Sequence, residues 1–196
     1  MSRNKMLTTI RSNTASLPKI PHPGIYSNEI ADGHIWIFAE QVKKVGGFIF
    51  SFDEGQQAIE NLEKLFGEMK TFYSYRDTDF IKSNKPLTYQ TKPHDCKDLD
   101  ILMIKAELAV IENGAIWVTE PIDFPRSALF LTQHLIVVVN SNTMVNDMHE
   151  AYAKIKSIPA NFGVFISGPS KTADVEQCLV IGAHGPRSLT ILMEDS

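Results

Sequence analysis

The sequence is poor in cysteine. Its two cysteines, Cys96 and Cys178, lie far apart in the chain. A cysteine-ligated iron–sulfur cluster or a structural zinc site usually takes four ligands at short spacings, so this chain does not build such a site by itself. A disulfide framework is not indicated either, because such frameworks need several paired cysteines. We therefore expect neither a metal nor a cofactor.

The sequence also lacks a surplus of positive charge and long apolar runs. Its formal net charge is −4, which argues against nucleic acid as the main partner because phosphate binding needs an excess of lysine and arginine. No stretch approaches the roughly 20 apolar residues of a membrane-spanning helix. Residues 1–27 lack the apolar segment of a secretory signal peptide. These absences predict a cytoplasmic protein without a membrane span.

The rest of the composition is typical of a globular domain, with 43% hydrophobic and 21% charged residues. The chain of 196 residues is long enough for one sizeable core. Pro18, Pro21 and Pro23 lie among polar residues and favour an extended path. We predict a flexible arm over residues 1–27 and a single α/β domain over residues 28–196.

Capping residues and apolar spacing predict three clear helices. The predicted helices are Asp32 to Lys44, a helix capped by Asp53 and stopped by Gly67, and a helix capped by Asp147 and ended by Pro159. Ile35, Trp36, Ala39 and Val42 are assigned to one face of the first helix. Trp36 and Trp117 are both interpreted as core residues. A short helix is also expected from Ala128 to Gln133.

Strand patterns alternate with these helices. The predicted strands are Phe48–Phe50, Thr71–Tyr75, Leu135–Val139, Phe162–Ile166 and Ser188–Met193. The run Leu135–Val139 lacks polar alternation, which favours a strand buried on both faces of a parallel sheet. Asn113-Gly114 between two apolar runs predicts a hairpin, which adds an antiparallel element. The fold class is therefore α/β, with three α/β/α layers around a mostly parallel, mixed central sheet.

The stretch from Arg76 to Asp100 is polar and contains two prolines. Because it is long for a loop in a compact domain, it either contains short structure or belongs to a functional surface. His94-Asp95-Cys96 lies within it, but adjacent side chains seldom converge on one metal ion.

The C-terminal segment carries the strongest functional signal. A strand runs directly into Ser167-Gly168-Pro169-Ser170-Lys171-Thr172-Ala173-Asp174, and Val175, Leu179 and Gly182 at helical spacing predict a following helix. Ser170 or Thr172 would cap that helix, its free N–H groups would hold an anion, and Lys171 would add positive charge. Asp174 and Glu176 in the first turn would compete with an anion, so a simple capped turn is the alternative. Pro169 and Ser170 interrupt the pattern of a nucleotide-binding P-loop, which excludes that class.

A second polar motif, Gly182-Ala183-His184-Gly185-Pro186-Arg187, follows. His184 is a candidate for proton transfer at a pocket mouth, and the alternative is a surface histidine. Arg187 is a candidate anion clamp or a solvated charge.

These two motifs together resemble the lactate-utilisation protein C family of LUD-domain proteins. The similarity extends to Ala106–Val118, Arg126, Leu135–Val139 and Pro21-His22-Pro23-Gly24. The resemblance implies a fold of the NagB/RpiA/coenzyme A transferase-like group. It also implies a cluster-free accessory subunit, which binds a small anionic metabolite and accompanies iron–sulfur proteins in bacterial L-lactate oxidation to pyruvate. The resemblance leaves open whether the chain forms a homo-oligomer. The implied ligand-binding positions are Gly114, Arg126, Gly168, Pro169, Ser170, Lys171, Thr172, Asp174, Glu176, His184, Gly185 and Arg187.

Glu112-Asn113-Gly114 supports an alternative function, because it resembles the Glu-Asn-Gly of coenzyme A transferases. In those enzymes the glutamate is the nucleophile toward a thioester, and a carboxylate held against an acyl carbon forms a mixed anhydride. The alternative is therefore an acyl-transfer or sugar-phosphate enzyme using Glu112. The hairpin explains the same Asn-Gly without chemistry.

Overall fold

The computed structural model describes residue 5 and residues 34–119, 124–173 and 179–195. The helices are α1 His34–Lys44, α2 Gly55–Phe66, α3 Ala128–Leu131 and α4 Met148–Ile155. The strands are β1 Phe48–Ser51, β2 Phe72–Ser74, β3 Ile101–Lys105, β4 Leu108–Val110, β5 Ala115–Thr119, β6 His134–Asn140, β7 Met144–Val145, β8 Gly163–Ile166, β9 Lys171–Ala173, β10 Leu179–Ile181 and β11 Ser188–Glu194. The predicted arm, residues 1–27, lies outside the described residues apart from Lys5.

Five strands form a central sheet in the order β1-β11-β6-β3-β2, and every neighbouring pair is parallel. Strand β6 lies in the middle, with Leu135 opposite Leu189 on one side and Leu102 on the other. All of β6 except its last residue is buried. The apolar run of strand-forming residues therefore has the doubly buried position that its lack of alternation predicts, and the α/β class is confirmed.

The Asn113-Gly114 hairpin is confirmed, and it belongs to a second sheet with strand order β7-β4-β5-β8. Gly114 has a φ of 66°, and the side-chain oxygen of Asn113 accepts a hydrogen bond from the N–H of Ala115 at 3.0 Å. A Cβ on Gly114 would lie 2.9 Å from the backbone nitrogen of Val42. The hairpin turn thus packs directly against α1, where only glycine fits.

Three hydrophobic clusters show how the layers stack. Helix α2 covers one face of the central sheet through Ala58, Ile59 and Leu62. The opposite face packs against α1 and the inner face of the second sheet. Helix α4 covers the outer face of the second sheet, with Ala151 buried there. The second sheet therefore takes part of the place that a helix would have over the parallel sheet.

The helix N-termini are partly as predicted. Asp147 caps α4, since its side chain accepts from the N–H of Glu150 at 2.9 Å. Asp53 does not cap α2. It lies in a 3-10 turn, Phe52–Glu54, that precedes the helix, and Ser51 and Glu54 form the capping box of that turn. The second helix ends at Gly67 as predicted, with its N–H bonded to the carbonyl of Glu63.

The assignment of Trp36 to the core is wrong, because its side chain is 69% exposed. The buried residues of α1 are Phe38 and Val42, one turn apart. At 3.6 residues per turn, position 36 lies on the opposite side of the helix from position 38. No helix in the described parts of the chain is long and apolar enough to cross a membrane.

The helix predicted after Ser170 is also wrong. Lys171–Ala173 and Leu179–Ile181 instead pair as an antiparallel hairpin, with Thr172 opposite Val180. Residues 174–178 between them, which include Asp174, Val175, Glu176 and Cys178, lie outside the described residues. The β-branched residues Thr172, Val180 and Ile181 favour extended backbone, and cross-strand pairing decides the structure over the weak helical spacing.

Candidate functional site

A pocket with a volume of about 250 Å³ lies where β8 ends and where β6 and β11 begin. The carboxyl end of β8 belongs to the second sheet, whereas the central parallel sheet contributes the amino ends of its strands. The pocket therefore does not lie beyond the carboxyl ends of the parallel strands, where open α/β sheets usually bind ligands. The pocket is a gap between two sheets rather than a crevice at one sheet edge.

The pocket walls are apolar. Leu129, Leu135 and Leu189 are buried residues of the main core cluster, and Val164 and Ile166 pack against the same cluster. Phe130, which is 38% exposed, and Phe165 complete this lining. None of these residues belongs to the polar motifs, so no polar pattern in the sequence marks them as pocket residues.

Polar groups lie around the pocket in Ser167, Ser170 and His184. The hydroxyl of Ser167 donates to the carbonyl of Asn113 at 3.1 Å, so its proton is committed and its lone pairs stay available to accept. The N–H of Ser170 donates to the carbonyl of Pro186, and its carbonyl accepts from the N–H of Gly182, both at 2.9 Å. The Ser170 backbone is thus held by the second motif, which brings the two motifs together.

Gly168 holds the turn that forms one side of the pocket. Its φ is 74°, and a Cβ there would lie 2.3 Å from the carbonyl oxygen of Val45. Lys171 approaches the same region, with its Nζ donating to that carbonyl at 2.5 Å. The turn is therefore docked on the C-terminal end of α1, where a lysine also complements the helix dipole.

The structure separates the predicted binding residues into several places. Gly168, Ser170, His184 and Gly185 line the pocket together. Pro169 is buried beside Gly46, Thr172 lies in β9, and Gly114 packs on α1. Asp174 and Glu176 are outside the described residues. The predicted anion site at a helix N-terminus is absent from the described segment, because that segment forms strands.

The two predicted arginines lie against aromatic rings. The guanidinium of Arg126 lies 5.0 Å from the ring centre of Phe162. That of Arg187 lies 5.2 Å from the ring centre of Phe66 in α2, and neither arginine lines the pocket. Stacking of this kind stabilises an arginine in a fixed orientation.

A buried polar pair lies beneath Arg187. The Nδ1 atom of His134 and the Oγ atom of Ser188 are 2.7 Å apart, and both residues are almost inaccessible to solvent. Burial and, to a smaller extent, the positive charge of Arg187 lower the pKa of His134 to about 4, while the carboxylate of Asp100 opposes the change. The histidine is therefore neutral at neutral pH, and the pair links the first residues of β6 and β11.

Glu112 has a structural partner. Its Oε1 accepts from the N–H of Met148, the first residue of α4, at 2.9 Å. A carboxylate at a helix N-terminus stabilises the exposed N–H groups there. This contact accounts for Glu112 without nucleophilic chemistry.

The His94-Asp95-Cys96 segment does not converge on one point. Cys96 is buried in the main core cluster, whereas His94 is exposed in the 3-10 turn Pro93–Cys96. Within the described ranges, no group of three or more His, Cys, Asp or Glu side chains is arranged to hold a metal ion.

A second, larger cleft of about 730 Å³ lies at the carboxyl ends of β1, β2 and β11. Arg76 and Glu194 face each other there, with Nη2 and Oε1 2.6 Å apart. The Arg76 guanidinium also lies 4.5 Å from the ring centre of Phe52. Asp53, Asp77 and Asp79 line the same cleft. Part of the predicted loop Arg76–Asp100 therefore lines a surface cleft.

The fold and the position of the pocket define a class of protein: a two-sheet α/β domain with a small pocket between its sheets. The fold is similar to the crystal structure of a DUF162 family protein from Deinococcus radiodurans, with a TM-score of 0.55. The two chains are 15% identical, and the match covers 82% of this chain and 96% of the other.

The family follows from the sequence match. The LUD domain family model matches residues 82–193, which is more than half of the chain, and the chain belongs to this family. Every residue that lines the pocket lies within the matched range. The residues that line the larger cleft all lie outside it, because those from Phe52 to Phe80 precede residue 82 and Glu194 follows residue 193.

Curated relatives share part of the chain. The lactate utilization protein C of Bacillus licheniformis is 34% identical over 97 residues, which is 46% of this chain and 40% of that protein. The protein of the same name from Bacillus subtilis is 34% identical over 98 residues, and that from Shouchella clausii is 28% identical over 101 residues. The chain spans less than half of the length of these relatives.

Proposed function

We propose that this chain is an accessory, ligand-binding subunit of a bacterial L-lactate utilisation system, in which iron–sulfur proteins oxidise lactate to pyruvate. The observation that carries the proposal is that all pocket-lining residues lie in the part of the chain that matches the LUD domain. The names of the relatives support lactate as the starting point for the ligand. The two distant cysteines support a subunit whose redox centres lie in its partners.

The proposed ligand is a small 2-hydroxy carboxylic acid, held by three polar side chains. Ser170 has no side-chain hydrogen bond within the described structure, so its hydroxyl is available to donate to a carboxylate. His184 is exposed and lines the same pocket, where its ring supplies a second donor. The carboxylate stays close to solvent, and this limits the cost of its desolvation.

Ser167 gives the proposed site a preference between lactate and pyruvate. Its proton is committed to the carbonyl of Asn113, so toward a ligand it acts as an acceptor. A 2-hydroxy acid has a hydroxyl that donates to such an acceptor, whereas a 2-oxo acid has none. A site that matches a ligand hydroxyl rejects analogues that lack it.

The binding proposal is tested by calorimetric titration of the full chain with L-lactate and with pyruvate. Ser167→Ala should weaken lactate binding about fivefold, the effect of one hydrogen bond of roughly 1 kcal/mol, and should leave pyruvate binding unchanged. Ser157→Ala is the matched control, because that hydroxyl bonds the carbonyl of Lys154 near the end of α4 and is not part of the pocket lining. Equal losses for both acids would contradict the assigned acceptor role.

The partner proposal is tested in the native host. Affinity purification of the tagged full chain should recover proteins with iron–sulfur absorbance, and deletion of the gene should slow growth on L-lactate but not on glucose. Complementation with the wild-type chain is the control for the deletion. Recovery of no iron–sulfur protein together with normal growth on L-lactate would reject the accessory role.

A further inference from the structure

We infer that the pocket between the two sheets selects 2-hydroxy acids by the apolar side chain on their second carbon, and that it prefers acids larger than lactate. This inference rests on the proposed function and concerns the same site. Its basis is that the pocket is larger than lactate and has apolar walls, whereas the only apolar side chain of lactate is a methyl group.

The first step is volume. Lactate has six non-hydrogen atoms, and at no more than about 30 Å³ each, the share of one molecule in liquid water, it fills at most about 180 Å³. The pocket has a volume of about 250 Å³. Lactate therefore leaves part of the pocket volume unfilled, and apolar lining beside the unfilled part forfeits contacts with the ligand.

The second step is the arrangement of polar and apolar groups. The carboxylate and hydroxyl partners are Ser167, Ser170 and His184, of which Ser167 and His184 are exposed. Leu135 and Leu189 are buried and lie directly opposite each other at the beginnings of β6 and β11. A ligand with its polar end at the exposed residues thus directs its side chain toward the leucines.

The third step is charge. Among the described residues, no Lys, Arg, Asp or Glu lines this pocket. Selection at its inner end therefore depends on apolar contact, which is non-directional and grows with the area removed from water. Each methylene group buried there should tighten binding about fourfold until the space is filled.

The test is a titration series on the unmodified full chain. L-Lactate, 2-hydroxybutanoate, 2-hydroxypentanoate and 2-hydroxy-4-methylpentanoate are compared by calorimetry at one pH and salt concentration. Dissociation constants should fall about fourfold for each added carbon over the first two additions. Butan-1-ol and pentan-1-ol, which add the same carbons without a carboxylate, are the matched controls and should bind much more weakly.

A variant provides a second measurement. Val164 lies in β8, lines the pocket and is half-buried, so Val164→Phe should fill the inner space while the fold is kept. The fold is checked by circular dichroism and thermal unfolding. In this variant the gain from lactate to 2-hydroxypentanoate should shrink from roughly sixteenfold, two steps of about fourfold, to less than about threefold.

The outcomes separate this inference from the proposed function. If lactate binds but longer acids bind equally or more weakly, the size preference is wrong and the lactate role stands. If the alcohols show the same affinity and gain per carbon as the acids, selection of 2-hydroxy acids is wrong. If no acid of the series binds, the proposed ligand class is wrong, and this inference is rejected with it.

Discussion

The pocket and the larger cleft lie at opposite edges of the same parallel sheet and differ in almost every respect. The pocket of about 250 Å³ lies at the amino ends of β6 and β11 and has apolar walls. The cleft of about 730 Å³ lies at the carboxyl ends of β1, β2 and β11 and is lined by charged residues. In open α/β sheets the carboxyl edge is the usual ligand site, so position alone would favour the cleft.

The difference teaches that position and size do not identify the site here. Three of the charged groups of the cleft have partners within the chain: Arg76 pairs with Glu194, and the Asp77 carboxylate accepts from the N–H of Ser83 at 3.2 Å. The pocket, by contrast, has the Ser170 hydroxyl without a partner in the described structure and an apolar interior. A second sheet that packs on the first creates this gap at the edge that usually carries no ligand.

The largest expected effect is on the backbone that forms the pocket. Gly168→Ala places a Cβ 2.3 Å from the carbonyl oxygen of Val45 at a φ of 74°. Left-handed backbone costs an alanine about 1–2 kcal/mol, and the overlap adds a similar or larger amount. We expect the free energy of unfolding to fall by roughly 4 kcal/mol, measured by urea denaturation, with loss of lactate binding.

Gly55→Ala is the matched variant behind the cleft, because Gly55 packs against Phe80, which lines it. Its Cβ would meet the ring of Phe80 at 2.4 Å, but the backbone there is ordinary helix, with a φ of −56°. The Phe80 ring can move aside, whereas the Val45 carbonyl at the end of a helix cannot. The free energy of unfolding should therefore fall by only about 1–2 kcal/mol. A Gly168→Ala variant as stable as Gly55→Ala would show that the pocket is no more rigid than the cleft.

The next effect is a pH dependence of the free energy of unfolding, caused by His134 at the amino end of β6. The pKa of His134 is lowered to about 4 by burial and by Arg187, whereas the unfolded chain titrates near 6.5. The stability that this difference in pKa contributes is fully present above pH 6.5. It is lost as the pH falls from 6.5 to 4, because over this range only the unfolded chain gains the proton. Stability should fall by about 2 kcal/mol over this range after allowance for solvent screening.

The matched variant for this titration is His134→Asn, which keeps a polar partner for Ser188 but does not ionise. Urea denaturation at several pH values between 7.5 and 4 should give a flatter stability profile for the variant than for the wild type. Parallel profiles would mean that other groups carry the acid sensitivity.

A smaller effect is expected in the cleft. Arg76→Gln removes the ion pair with Glu194 and the contact with the Phe52 ring, and exposed interactions of this kind contribute about 1 kcal/mol together. Thermal unfolding should show this modest loss, and lactate binding should be unchanged. A folded Arg76→Gln variant that no longer binds lactate would move the functional site to the cleft.

The smallest effect concerns Lys171, which the sequence pattern suggests as an anion ligand. The structure shows its ammonium group at the Val45 carbonyl, so Lys171→Met should cost about 0.5–1 kcal/mol of stability and leave the lactate dissociation constant within twofold. Lys43→Met, which removes an exposed pair with Glu40, is the control for loss of a surface charge. A tenfold weaker lactate affinity in Lys171→Met would restore the lysine as a ligand-binding residue.

Local patterns were sufficient for much of the fold. The run Leu135–Val139 and the Asn113-Gly114 turn have strong local preferences, and both appear as predicted in β6 and the β4–β5 hairpin. The spacing of Val175, Leu179 and Gly182 is a weak helical signal, and hairpin pairing of Lys171–Ala173 with Leu179–Ile181 overrides it. Trp36 shows the same limit of local patterns, because the face of α1 that is exposed depends on how the helix packs against the sheets.

The candidate site was predictable in its polar part only. Gly168, Ser170, His184 and Gly185 stand out in the sequence and do meet at one pocket. Leu129, Leu135 and Leu189 look like any other core residues, since nothing in an apolar pattern tells whether its neighbour is another side chain or a gap.

The sequence by itself determined the α/β class, the central buried strand, the hairpin turn and the two polar motifs, because each depends on residues close together in the chain. Only the tertiary structure decided that the hairpin belongs to a second sheet and that the two polar motifs meet at a pocket lined by buried leucines. It also decided that Lys171 bonds the backbone at the end of α1 and that Glu112 bonds the backbone at the start of α4. Those outcomes depend on contacts between residues far apart in sequence, whose geometry no local pattern contains.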